Sequence, residues 1–169
     1  IDPLIQLLTV TTSEPFFIGI SVKAVIYFII MCILLLCSAM ASSSETAYFS
    51  LQPNDINELE DSSNRNEQLV LELRQNPKIL LATILIANNL INISITILST
   101  YIMNMIFNLG AHPVAAFILN VGVVTSLILL VGEMIPKVYA SKKAKSIATM
   151  MAPVLRFLVK FFKPLSKIF

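Results

Sequence analysis

Residues 127–137 read LILLVGEMIPK, and Glu133 stands near the end of this long apolar run. A carboxylate costs about 3 kcal/mol or more at a bilayer centre, and such residues as a rule face a bundle interior or a water-filled cavity, where they have a partner. Pro136 follows three residues later; it lacks a backbone donor and can bend the helix. An acid beside a helix bend is a natural place to hold a cation.

The composition is that of a membrane protein. Apolar residues make up 56% of the 169 residues, and charged residues only 13%. Three apolar runs predict transmembrane helices at residues 16–42, 78–107 and 113–136, because a helix of about 20 residues crosses the roughly 30 Å of hydrocarbon. In a helix the backbone N–H and C=O groups form hydrogen bonds with each other, as they must where water is absent. The sequence therefore predicts an all-α membrane protein with three transmembrane helices plus cytoplasmic-side juxtamembrane helices.

The distribution of lysine and arginine predicts the topology. The tail after the third span carries eight basic residues, whereas the turn at 108–113 carries none, so the tail is cytoplasmic. This makes residues 1–15 an extracytoplasmic segment and 16–140 a three-span domain with an inner helical loop at 50–77. Residues 141–169 are predicted to form an amphipathic juxtamembrane helix on the lipid bilayer, its lysines meeting anionic headgroups. We expect a multi-pass protein of the inner (plasma) membrane, with its N-terminus outside. Because the chain begins with Ile rather than Met, we also expect it to be a piece of a longer protein.

Each predicted span carries polar residues at helical spacing, so that they share one face of the helix. Three such faces are expected to line one common cavity. In chain order the three sets are Ser38, Ser42 and Glu45; then Asn89, Asn92, Thr96 and Ser99, flanked by Asn88; then Gly122, Ser126 and Glu133.

These polar residues also have a purely structural interpretation. Small residues four apart promote close helix packing in membranes, and Ser, Thr and Asn form hydrogen bonds across helices. Glu133 favours an ion site, because packing does not require an acid. Hydroxyls, amides, carboxylates and freed carbonyls are all oxygen donors, which suit hard cations such as magnesium, calcium or sodium and disfavour zinc or copper.

Three motifs, in order, resemble the membrane domain of the CorB/CorC and CNNM family of magnesium transporters. Residues 38–51, SAMASSSETAYFSL, match the family's serine-rich stretch ending in a "SETA…SL" pattern. The dipeptide NP at 76–77 and LATILIANNLINI at 81–93 match its second-span pattern. GEMIPK at 132–137 matches its "GE-x-x-PK" signature. The resemblance covers about residues 20–165.

The resemblance implies a homodimer with three spans and a cytoplasm-side helical belt in each protomer. It also implies that magnesium is bound inside the membrane and exported by alternating access, with sodium entry as the expected coupling. Relatives normally continue into cytoplasmic CBS domains, so nucleotide-linked regulation is not expected from this chain. The ion ligands implied by motif position are Ser38, Ser42, an asparagine among Asn88, Asn89 and Asn92, Glu133, and a main-chain oxygen of Ser126.

Two other interpretations stay open. The chain could be a membrane anchor or dimerisation module whose ion site only senses or stabilises, which a flux measurement would separate from transport. It could also carry another hard cation, which competition would reveal. An enzyme is not expected, because the sequence has no Ser/His pair, no HExxH motif and no pair of intramembrane aspartates. No nucleic-acid partner is expected either.

Overall fold

The structure is a computed structural model that describes residues 17–107 and 113–166, and nearly all of these residues are helical. In chain order the elements are α1 (Val22–Phe49), α2 (Pro53–Glu60), α3 (Arg65–Arg74), α4 (Pro77–Ile106), α5 (Pro113–Phe117), π1 (Ile118–Val124), α6 (Thr125–Leu127), π2 (Ile128–Met134), α7 (Ile135–Lys142) and α8 (Ala144–Ser166).

Three helical runs in the described part of the chain are long and apolar enough to cross a bilayer: α1, α4 and the third run, Val114–Lys142. The predicted all-α membrane fold is therefore confirmed. Many large apolar side chains of these runs are exposed, among them Ile26, Ile93 and Leu129, as expected where lipid is the surrounding solvent. The predicted extracytoplasmic segment and the turn at 108–112 lie outside the described residues.

Local signals explain where the helices begin. The Ser21 hydroxyl accepts a hydrogen bond from the Ala24 amide at 3.2 Å and caps α1, satisfying one of the free donors at a helix start. The side chain of Asn64 caps α3 in the same way. Pro77 stands in the first turn of α4, where its missing N–H would have no partner in any case.

The short helices pack around the ends of the spans and form a core on the side predicted to face the cytoplasm, here called the inner belt core. α1 runs to Phe49, beyond the predicted end of its span at residue 42, and its last turns are buried in this core. Its members are Ala47, Tyr48, Leu51, Leu59, Leu69, Val70, Leu73, Leu80, Ile84, Ala140, Ala144, Ile147, Ala148, Met151, Ala152 and Leu155.

Ion pairs tie α8 to the loop helices. Lys145 donates to Glu58 at 2.7 Å, and Arg156 lies 3.5 Å from Glu72. The hydrogen bond to Glu58 raises the pKa of Lys145. Surface pairs of this kind contribute little stability, so the inner belt core depends on its apolar contacts.

Replacing Leu59 with Ala tests that core. The Leu59 side chain is 0% exposed, so its truncation should lower the free energy of unfolding by about 2–5 kcal/mol. The matched control is Leu85→Ala, at a side chain that is 52% exposed on α4, where a change within about 0.5 kcal/mol is expected. Unfolding of both variants in detergent provides the comparison, and equal losses would contradict the assignment of Leu59 to the core.

Candidate ion-binding site

Four polar side chains from all three spans meet in the membrane part of the bundle; we call them the polar cluster. The Ser38 hydroxyl of α1 lies 3.1 Å from Asn88 Oδ1 and 2.8 Å from Asn92 Oδ1 of α4. On their other side the two amides face the third run. Asn92 Nδ2 donates to Glu133 Oε1 at 2.9 Å, and Asn88 Nδ2 donates to the same oxygen at 3.5 Å.

Helical periodicity explains why two asparagines share the polar cluster. Asn88 and Asn92 are four residues apart in α4, so they project from one face. Asn88 is buried and Asn92 is partly buried. Asn89 is one position off that face and is exposed. Of the three predicted asparagines, the structure brings two to Glu133 and turns Asn89 away.

The third run is not a regular α-helix, and this changes which residues face α1. Its segments π1 and π2 have hydrogen bonds that span five residues rather than four, so the α-helical step from Ser126 to Glu133 does not hold. Ser126 is exposed, and Val124, Ile128 and Gly132 are the buried positions instead. The predicted common face of Gly122, Ser126 and Glu133 is therefore wrong.

Pro136 marks the change from π2 back to α geometry and does not interrupt the run, since it lies in the first turn of α7. Its nitrogen has no hydrogen, so the carbonyls of Val131 and Gly132 receive no hydrogen bond from residue 136. The Pro136 carbonyl itself accepts from the Ser43 hydroxyl at 3.5 Å.

Polar groups continue from the polar cluster along α1 towards the inner belt core. Ser42, one turn from Ser38, is 0% exposed, and its hydroxyl has no hydrogen-bond partner among the described residues. Glu45, a further turn along, forms an ion pair with Lys137 of α7 at 3.1 Å. Sequence periodicity placed Glu45 on the polar face of α1, but it gave no indication that Lys137 would be its partner.

The donor set of the polar cluster is a hydroxyl, two amides and one carboxylate. Across residues 17–107 and 113–166, no group of three or more His, Cys, Asp or Glu side chains forms a metal-holding site. The amide oxygens of Asn88 and Asn92 both lie within 3.1 Å of the Ser38 oxygen. Oxygen donors of this kind are those that magnesium and calcium prefer.

Gly132 was not predicted as a functional residue, although it precedes Glu133 directly. It is buried, and a Cβ added to it would lie 3.0 Å from Ser38 Oγ. The missing side chain therefore allows α1 and the third run to approach closely at the polar cluster. A small residue within a predicted span is the sequence signal that could have indicated such an approach.

Comparison with known proteins adds an independent observation. Residues 29–169 match the family model described as the cyclin M transmembrane N-terminal domain, CNNM. A UPF0053 protein of Haemophilus influenzae is 33% identical over 138 residues, which cover 82% of this chain and 32% of that protein. The metal transporter cnnm-4 of Caenorhabditis elegans is 29% identical over 152 residues, which cover 85% and 31% of the two chains. The chain thus spans about a third of the length of these relatives.

Asn92→Ala tests the hydrogen bonds of the polar cluster in the absence of metal. The substitution removes the shortest bond to the Glu133 carboxylate, so the free energy of unfolding should fall by about 1–2 kcal/mol. Asn89→Ala is the matched control on the same helix and should change it by less than about 0.5 kcal/mol. Both are measured by unfolding of the metal-free chain, and a larger loss for Asn89→Ala would contradict the observed register of α4.

Proposed function

Because the chain belongs to the family of the cyclin M transmembrane N-terminal domain, we propose that it carries magnesium across a membrane through the polar cluster. The family match confirms the resemblance drawn from the sequence motifs. The family is one of membrane proteins and includes a protein named as a metal transporter. We expect no enzymatic activity.

The observation that carries the proposal is a carboxylate within a candidate span that accepts hydrogen bonds from two amides of α4. The same amides contact the Ser38 hydroxyl of α1 through their oxygens. Helix packing alone is achieved with small and apolar residues, so an acid at this depth needs another explanation. An all-oxygen donor set favours a hard cation over zinc or copper. Magnesium is our choice among hard cations because of the family resemblance.

Binding requires a local rearrangement of the two amides. In the structure, Asn88 and Asn92 direct their nitrogens at Glu133 and their oxygens at Ser38. A cation that bound the carboxylate and the amide oxygens together would require both amides to turn about χ2, a torsion with broad, roughly two-fold preferences. We propose that the cation replaces the amide hydrogens as the partner of Glu133.

For direction and coupling we propose what the family resemblance implies. With the inner belt core on the cytoplasmic side, magnesium enters past Glu45 and Lys137, meets the buried Ser42 hydroxyl, and reaches Glu133. Release on the other side, coupled to sodium entry, completes an export cycle by alternating access. We propose that this takes place in the plasma membrane, with the N-terminus outside, in a homodimer.

Magnesium binding to the purified chain, measured by calorimetry, tests the site. Glu133→Gln removes the only charge of the polar cluster and should abolish binding or weaken it by roughly 100-fold or more. Glu60→Gln, on the exposed side of α2, is the matched control and should bind like the wild type. Ordinary binding by Glu133→Gln would contradict the assignment of Glu133 as a ligand, and calcium and sodium competition identifies the preferred ion.

Flux through proteoliposomes separates transport from sensing. The wild type should move magnesium across the vesicle membrane, and Glu133→Gln should not. If the wild type binds magnesium in calorimetry but moves none in the presence of a sodium gradient, the anchor or sensor interpretation replaces the transporter.

A further inference from the structure

Gly132 is placed where α1 and the third run come close together at the polar cluster. Its own neighbour, Glu133, contributes the carboxylate, while across the helix interface it faces Ser38. A Cβ built on Gly132 would lie 3.0 Å from Ser38 Oγ and 3.5 Å from Ser38 Cβ. The 3.5 Å distance to Ser38 Cβ is an ordinary van der Waals contact, so only the Ser38 hydroxyl oxygen would lie too close to the added Cβ.

That hydroxyl cannot move without changing the polar cluster. Ser38 is 0% exposed, and its oxygen lies 2.8 Å from Asn92 Oδ1 and 3.1 Å from Asn88 Oδ1. A methyl group at position 132 would push the oxygen by a few tenths of an ångström or turn it to another rotamer. In either case the hydroxyl would move from its place beside the two amide groups.

Small displacements of one oxygen matter differently for different cations. Magnesium requires near-ideal octahedral geometry with oxygens at about 2.0–2.1 Å, whereas calcium accepts six to eight oxygens at about 2.3–2.6 Å in flexible arrangements. Displacing the hydroxyl by a few tenths of an ångström should therefore weaken the binding of magnesium more than the binding of calcium.

We propose that Gly132 is a positioning residue that makes the site selective for a small divalent cation, by leaving room for the Ser38 hydroxyl in the polar cluster. This inference rests on the proposed cation-binding function and adds its size selectivity. The role of Gly132 is steric: it provides no side-chain ligand, and any larger residue would act through the displacement of Ser38.

The test is calorimetric titration of the 169-residue chain with magnesium and, separately, with calcium, for Gly132→Ala and its controls. In Gly132→Ala the magnesium dissociation constant should rise roughly 10- to 100-fold, while that for calcium should rise less, so the preference for magnesium falls. Gly122→Ala is the matched control in the same run, because an added Cβ there has no atom within 4 Å. It should leave both constants unchanged.

The double variant Ser38→Ala/Gly132→Ala separates positioning from a general structural effect. Once the hydroxyl is gone, the methyl at 132 has nothing left to displace, so the double variant should bind magnesium no more weakly than Ser38→Ala alone. Additive losses would overturn the proposal, as would a Gly132→Ala variant that keeps the wild-type preference for magnesium over calcium.

Three further outcomes separate folding from function. If Gly132→Ala does not fold, the double variant decides: a folded double variant that binds magnesium as well as Ser38→Ala does supports the proposal, and an unfolded or more weakly binding one overturns it. If the wild type binds neither cation, the proposed function fails, and the selectivity inference fails with it. If the wild type binds magnesium and only the preference is unaltered in Gly132→Ala, the selectivity inference alone fails.

Discussion

A carboxylate inside a membrane span needs partners, and the hydrogen bonds around Glu133 are the constraint that the arrangement of the three spans satisfies. Two amide groups of α4 donate to one of its oxygens, and the same amides are joined to α1 through the Ser38 hydroxyl. Each span contributes to the polar cluster, so none can rotate independently without leaving a polar group unpaired in hydrocarbon. Gly132 lies opposite Ser38, where the absence of a side chain leaves room for the hydroxyl that contacts these amides.

The surroundings of the polar cluster differ on its two sides. Towards the start of α1, an apolar group formed by Leu35, Ile95, Val124 and Ile128 packs between the spans. Towards the end of α1 lie the Ser42 hydroxyl, which has no hydrogen-bond partner within residues 17–107 and 113–166, and the ion pair of Glu45 with Lys137. A hydrated cation would meet polar groups on one side and a dry barrier on the other. This asymmetry is consistent with the alternating access proposed above.

The parts of this architecture that depend on composition and short motifs could be predicted from the sequence. Long apolar runs indicated the spans, and Ser38, Asn92 and Glu133 were recognised as polar residues on predicted inner faces. What failed was the register of the third run, because the prediction used α-helical periodicity where π1 and π2 shift the phase. Which of Asn88, Asn89 and Asn92 serves as the ligand was left open, because periodicity alone did not show which of two adjacent residues points inward. The pairing of Glu45 with Lys137, far apart in sequence, depends on the packing of α1 against α7.

The position of a bound ion tests the central claim most directly. Manganese is a hard divalent cation that prefers oxygen ligands and can be located by its anomalous scattering in crystals of the chain. The account predicts one strong peak bounded by the Ser38 hydroxyl, the Asn88 and Asn92 amides and the Glu133 carboxylate. A peak located instead at the exposed acids of the inner loop, or none in crystals grown with manganese, would contradict it.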